Sequence, residues 1–154
     1  MGRLGYVLVL AAPVVLPLWV AFGHVLLLGE TGLMMLVSML LIAPTLFSFL
    51  TIPFVMVLIN KRVRATRRVS VLVTIPILVL TGCVLVFPAF VREADDQARW
   101  RSFAQNSFGI SGGASDDWAN ALYTVGAVAL CALIVATIYE FVQAKRNPRS
   151  DTVV

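Results

Sequence analysis

Charged residues are scarce in this chain, and histidine and cysteine are scarcer still. Only 13% of its 154 residues are Asp, Glu, Lys or Arg, against roughly 25% in an average soluble domain. So few charges cannot cover a water-facing surface, which argues against a soluble fold. One His and two Cys are too few for a Cys/His zinc site, and no Cys-x-x-Cys pair is present for thiol redox chemistry.

The sequence also lacks a nucleophile–base pair or any other constellation that would suggest an enzyme. We therefore expect a non-enzymatic protein with no catalytic residue, no cofactor and no metal. Its net charge of +4 does not point to nucleic acid, because the basic residues form short clusters beside apolar blocks. Such clusters set membrane topology and contact lipid headgroups.

Long apolar blocks are what the chain has in abundance, since 60% of its residues are hydrophobic. A helix crosses the hydrocarbon core of a bilayer in about 20 residues, and each of four blocks is at least that long. The sequence predicts an all-α, integral membrane bundle of four transmembrane helices in a single domain, 1–154. The expected spans are 5–28, 32–59, 69–91 and 120–142, joined by a basic loop at 60–68 and a longer loop at 92–117.

Two segments resemble processing signals, and we interpret neither as one. Residues 21–23 have the small-x-small pattern of a signal-peptide cleavage site, but the apolar run continues to residue 28 and exceeds the usual 7–15 residues. Residues 80–83, Leu-Thr-Gly-Cys, match a bacterial lipobox, but the motif is internal and an apolar stretch follows it. The first span is expected to be retained and Cys83 unmodified.

Basic residues predict the orientation of the bundle. Nine of the twelve Lys and Arg fall on one side of the four spans, and the positive-inside rule places that side in the cytoplasm. Both termini are then cytoplasmic, and the 92–117 loop faces outward. Ten Arg against two Lys suggest a high-GC bacterium, and hence its inner (plasma) membrane. The basic loop, which is also expected to contact lipid headgroups, contains Lys61, Arg62, Arg64, Arg67 and Arg68, and the other basic residues of that side are Arg3, Lys145, Arg146 and Arg149.

Prolines are frequent within the predicted spans, and each removes a backbone hydrogen bond and can kink its helix. Pro13, Pro17, Ala21 and His24 share one face of the first span, and that face is expected to pack on a neighbour. One interpretation of the prolines is ordinary kinked packing, and the other is a set of broken helices around a transport path. The remaining prolines within or at the ends of spans are Pro44, Pro53, Pro76 and Pro88.

The fourth span has a stripe of small residues at helical spacing, Gly126, Ala129 and Ala136, which favours close contact with another helix. Glu140 continues the stripe toward the basic side. It is expected to form an ion pair with Arg64 or Arg67, and the alternative is a coupling carboxylate for a cation.

His24 is the titratable group of the first span, and it could relay protons together with Glu30. The alternative is an interfacial His bonded to a carbonyl or a headgroup. In the second span, Ser38, Thr45 and Ser48 fall on one side of an ideal helix. They either line a polar path or bond to carbonyls of their own helix.

Two functional hypotheses follow, and they make different demands on the bundle. The first is an accessory or assembly subunit of a larger membrane complex, bound to another membrane protein or to copies of itself within the bilayer. It rests on the low charge of the spans and on the small-residue stripe. The second is a small oligomeric transporter or channel, which rests on the prolines, the hydroxyl face and His24.

Overall fold

The computed structural model describes residues 2–28, 36–94 and 100–146, with no side-chain description for His24, Leu28, Glu93, Ala94 and Trp100. Four of its helices are long and apolar enough to cross a membrane, so the predicted all-α bundle of four spans is confirmed. Helix α1 is Gly2–Leu28. A π-helical turn, Ser38–Ile42, leads into α2, Ala43–Ile59. Next come α3, Lys61–Thr66, α4, Val71–Phe90, α5, Phe103–Phe108, and α6, Gly112–Arg146.

The four long helices form a ring in which α1 contacts α2 and α4, and α6 contacts α4 most extensively and α2 less so. Apolar side chains from all four meet in the centre. Among the largest of these side chains, Leu50, Ile77 and Leu133 are at most 1% exposed. The large apolar residues on the outside remain exposed, as expected for a bundle whose solvent is lipid.

The two ends of the bundle differ in charge. We call the end that holds the start of α1 and residues 60–68 the basic end, and the end that holds residues 91–117 the acidic end. At the basic end, the backbone N–H of Val69 donates to the Gly2 carbonyl at 3.1 Å. At the acidic end, the indole N–H of Trp19 donates to the Leu85 carbonyl at 3.0 Å. These bonds fasten the start of α1 to the residue before Ser70, and the acidic half of α1 to α4.

Pro13, Pro17 and Ala21 are all buried, so that face of α1 lies inside the bundle. Pro53 lies within α2, and Pro76 and Pro88 lie within α4. The predicted kinks at the prolines stay a prediction.

The π-helical turn before α2 was not expected from the sequence. The N–H of Ala43 donates to the Ser38 carbonyl five residues back, and Pro44, which follows, has no N–H to donate. A π turn accommodates one residue more than an α turn, which rotates the preceding residues by about 100°. Ser38 therefore points into the bundle and is 3% exposed, whereas Thr45 and Ser48 lie on the outside.

Two loops contain more structure than the sequence predicted. Residues 60–68 include α3, whose N-terminus is capped by the Asn60 side chain. In the 92–117 loop, a two-residue antiparallel ladder pairs Glu93 with Arg101, and α5 follows it.

Helix α6 begins at Gly112 and not at residue 120, because the Ser111 hydroxyl caps it by accepting the Ala114 N–H at 3.2 Å. At 35 residues it is about 52 Å long and exceeds the bilayer core.

Candidate functional site

The small-residue stripe of α6 lies against α4 of the same chain. Gly126 is buried, and a Cβ atom there would lie 3.6 Å from the Cβ of Cys83. Ala129 is 6% exposed, and Ala136 packs against the core from its edge. The stripe is therefore already occupied by this chain's own helix, and a partner protein would have to bind elsewhere.

Glu140 contacts the start of α4 and not the basic loop. Its carboxylate accepts the backbone N–H of Ser70 at 3.2 Å and the Ser70 hydroxyl at 3.4 Å. Ser70 is the N-cap residue of α4 and makes no cap bond with its own side chain. Glu140 thus accepts the backbone N–H of the N-cap residue, as the N3 Glu side chain of a capping box does. Among the described residues it forms no ion pair with Arg64 or Arg67.

The two residues of the predicted proton relay, His24 and Glu30, lie partly or wholly outside the described structure. His24 belongs to α1, but its side chain is outside the described part of the structure, and so is the whole of Glu30. The relay stays a prediction.

The predicted headgroup-contacting residues form an exposed basic surface beside α2. Helix α3 is held in place by Val63, which is 3% exposed, and by the Asn60 side chain, which accepts the N–H groups of Arg62 and Val63. Arg67 ends this helix with φ of 50°, a left-handed conformation that turns the chain back toward α4. All five basic side chains are exposed: Lys61, Arg62, Arg64, Arg67 and Arg68.

The acidic end contains a buried polar network that the sequence did not predict. The Ser115 hydroxyl donates to the Phe90 carbonyl at 2.7 Å and lies 2.8 Å from the Ser102 hydroxyl. Both serines are fully buried. Beside them, Arg92 forms a two-point ion pair with Asp116, its Nε lying 2.8 Å from Oδ1. This network fastens the ends of α4 and α6 to each other and to the residue that starts α5.

Three hydroxyls of α2 donate to carbonyls of their own helix. Thr45 donates to Leu41 at 2.6 Å, Ser48 to Pro44 at 2.8 Å, and Thr51 to Phe47 at 2.8 Å. Thr45 and Ser48 are exposed on the outside of the ring. They do not line a polar path through its centre.

An apolar cavity of about 470 Å³ lies between α2 and α6 in the half of the bundle toward the acidic end. All four long helices contribute to it, and both cysteines, which are free thiols, border it. The hydroxyl of Thr45 already donates to the Leu41 carbonyl, so the cavity has few free hydrogen-bonding groups for a polar ligand. Its lining includes Val20, Leu46, Cys83, Phe87, Ala127 and Cys131.

No group of three His, Cys, Asp or Glu side chains in the described ranges is placed to hold a metal ion. No family model matches the chain, and no curated protein or solved structure is similar to it. The comparisons therefore assign no family.

Proposed function

We propose that this protein is a non-enzymatic accessory subunit of a larger membrane complex, held in a bacterial plasma membrane with its basic end in the cytoplasm. The supporting observation is the position of Ser48. The span Ser38–Ile59 has this serine at its midpoint, and its hydroxyl faces outward, where an isolated bundle would present it to lipid. Hydroxyls in membrane helices are typical of helix–helix interfaces.

The Ser48 hydroxyl is already bonded to the Pro44 carbonyl, so exposure to lipid costs little. Its oxygen can still accept a bond from a partner helix. Going toward the basic end, Ile52, Val55 and Ile59 follow at spacings of four, three and four, and they are 39%, 40% and 60% exposed. We call Ser48, Ile52, Val55 and Ile59 the α2 face, and propose it as the contact with the partner.

The exposed basic surface begins at Lys61, directly after the α2 face in the chain. It adds positive charge beside that face. It suits a partner with acidic residues at the cytoplasmic membrane surface. The same charges attract anionic headgroups at about 1 kcal/mol per basic residue, so headgroup binding and partner binding act in the same direction.

Purification in a mild detergent tests the proposal. The full-length protein should carry a stoichiometric membrane-protein partner, and Val55→Trp should reduce the captured partner by about tenfold. Val7→Trp is the matched control, because Val7 is also an outward-facing valine, 58% exposed, about one turn from the basic end of its helix. A protein that runs alone, or only with copies of itself, would contradict the proposal, and so would equal losses in the two variants.

The transporter hypothesis receives less support from the packing. Leu50, Ile77 and Leu133 close the centre of the bundle on the basic side of the cavity, and the hydroxyls of α2 face outward. A path through one protomer would need this core to open. Solute flux into proteoliposomes that contain only this protein would favour transport over the accessory role.

A further inference from the structure

The cavity between α2 and α6 is a place where the bundle departs from close packing. Helices α2 and α6 make the least extensive contact of the ring. Small residues line the α6 side, with Gly126 and Ala127 in adjacent positions. The cavity holds about 470 Å³ and opens at the surface of the bundle, since Ala127 and Cys131, which line it, are exposed. No side chain of the described residues fills it.

The position of the cavity along the membrane normal restricts its occupant. On α6 the lining runs from Leu122 to Ile134, which at 1.5 Å per residue is about 18 Å. That length is close to one leaflet of a hydrocarbon core about 30 Å thick. The cavity begins at the acidic end, where Tyr123 is 67% exposed, and stops near the middle of the bundle at Leu80.

The length of the cavity suits an acyl chain better than a partner helix. A transmembrane helix crosses both leaflets and would need a groove along the whole span, whereas this cavity stops near the middle of the bundle. A single hydrocarbon chain is far slimmer and reaches from the interface to the bilayer midplane. The described residues that line the cavity are almost entirely aliphatic or aromatic and include no charged side chain, so the occupant must be apolar where it contacts them.

We propose that this cavity is a lipid-chain site that holds one acyl chain of a phospholipid from the leaflet at the acidic end. Tyr123 lies at its mouth, at a level where amphipathic aromatic rings favour the interface. The chain fills the gap between α2 and α6 and thereby completes the packing of the ring at its weakest contact. This site is separate from the α2 face, which lies in the other half of the span, so either proposal can fail without the other.

A phosphatidylcholine that carries a photoactivatable diazirine near the middle of one acyl chain tests the site. The protein is reconstituted into vesicles containing this lipid, irradiated and mapped by peptide mass spectrometry. Labelling should concentrate on Ala127, Cys131 and Leu46. It should be about tenfold weaker at Val128 and Val135, which are 65% and 66% exposed on the outside of α6. Uniform labelling of all outward residues would overturn the proposal.

A pair of substitutions on α6 gives the matched comparison. Ala127 and Ala132 are both exposed, but only Ala127 lines the cavity. Ala127→Trp should fill the space and reduce labelling of Cys131 and Leu46 by about tenfold, and Ala132→Trp should leave it unchanged. If both variants keep the labelling, or if the lining residues crosslink to a second copy of the chain instead of to lipid, the site does not exist. The labelling pattern of the unmodified protein decides the question even if Ala127→Trp does not fold.

Discussion

The carboxylate of Glu140 binds Ser70, the N-cap residue of α4, and accepts its backbone N–H at 3.2 Å and its hydroxyl at 3.4 Å. These residues are 70 positions apart, and their contact joins the basic ends of α4 and α6. A carboxylate suits this place because the start of a helix carries unsatisfied N–H groups and a partial positive charge. The contact gives Glu140 a structural role in the bundle.

Replacing Glu140 should therefore destabilise the protein, and more so when the new side chain has no hydrogen-bond acceptor for Ser70. Glu140→Ala removes it and should lower the free energy of unfolding by about 1 to 2 kcal/mol, whereas Glu140→Gln keeps the carbonyl oxygen and should lose less than half as much. Reversible unfolding in mixed detergent micelles, followed by circular dichroism, measures both. Ser70→Ala should lower the free energy of unfolding less in the Glu140→Ala variant than in the native protein. An alanine variant as stable as the native protein would refute this contact.

Gly5 allows α1 to approach α4 so closely that no side chain fits. A Cβ atom at this position would lie 2.5 Å from the Thr74 hydroxyl oxygen and 2.9 Å from a methyl carbon of Val69. Gly5→Ala should therefore cost about 1 to 3 kcal/mol of unfolding free energy, as overpacking does. The same unfolding titration measures it.

Gly82→Ala is the matched control for that substitution. Gly82 lies within α4, and a Cβ atom there would meet nothing within 4 Å. Alanine at this position should leave stability unchanged or raise it by about 0.5 to 1 kcal/mol, because glycine is the poorer helix former. Equal effects of the two substitutions would contradict the close α1–α4 contact.

The polar network at the acidic end should depend more on its buried hydroxyl than on its ion pair. Ser115→Ala leaves the Phe90 carbonyl without its side-chain donor and Ser102 without its partner in a fully buried place, which should cost about 1 to 3 kcal/mol. Asp116→Asn weakens an ion pair whose two side chains are 34% and 44% exposed, which should cost less than about 1 kcal/mol. Thermal unfolding in the same detergent compares the two losses of stability. A larger loss for Asp116→Asn than for Ser115→Ala would be evidence against the network.

Hydropathy sufficed to predict the four spans, because a helix that crosses a bilayer needs a long run of apolar residues, and such a run can be identified directly in the sequence. Helix ends were predicted less well, because they depend on caps. The fourth span was predicted to begin at residue 120, but the Ser111 hydroxyl caps the helix and α6 starts eight residues earlier, at Gly112.

Most contacts within the bundle could not be predicted from the sequence. Ideal helical spacing put Ser38 on the same side as Thr45, and the π turn that separates them depends on local backbone bonding that no periodicity reveals. Ser70 could not be identified as the partner of Glu140, because 70 residues separate them and opposite charge favoured an arginine instead. The small-residue stripe predicted a helix contact, but the sequence does not say that Gly126 would lie against α4 of the same chain.

Labelling of single cysteines with a membrane-impermeant maleimide in intact cells tests the central claim, a four-span bundle with its basic end in the cytoplasm. Four exposed positions report on the ends of the helices, each placed in a background without Cys83 and Cys131. We expect Ser107→Cys to be labelled directly, and Arg3→Cys, Arg64→Cys and Lys145→Cys only after the membrane is permeabilised. Direct labelling of the three basic-end cysteines with protection of Ser107→Cys would reverse the orientation, and labelling of Arg64→Cys together with Ser107→Cys would contradict the four-span arrangement itself.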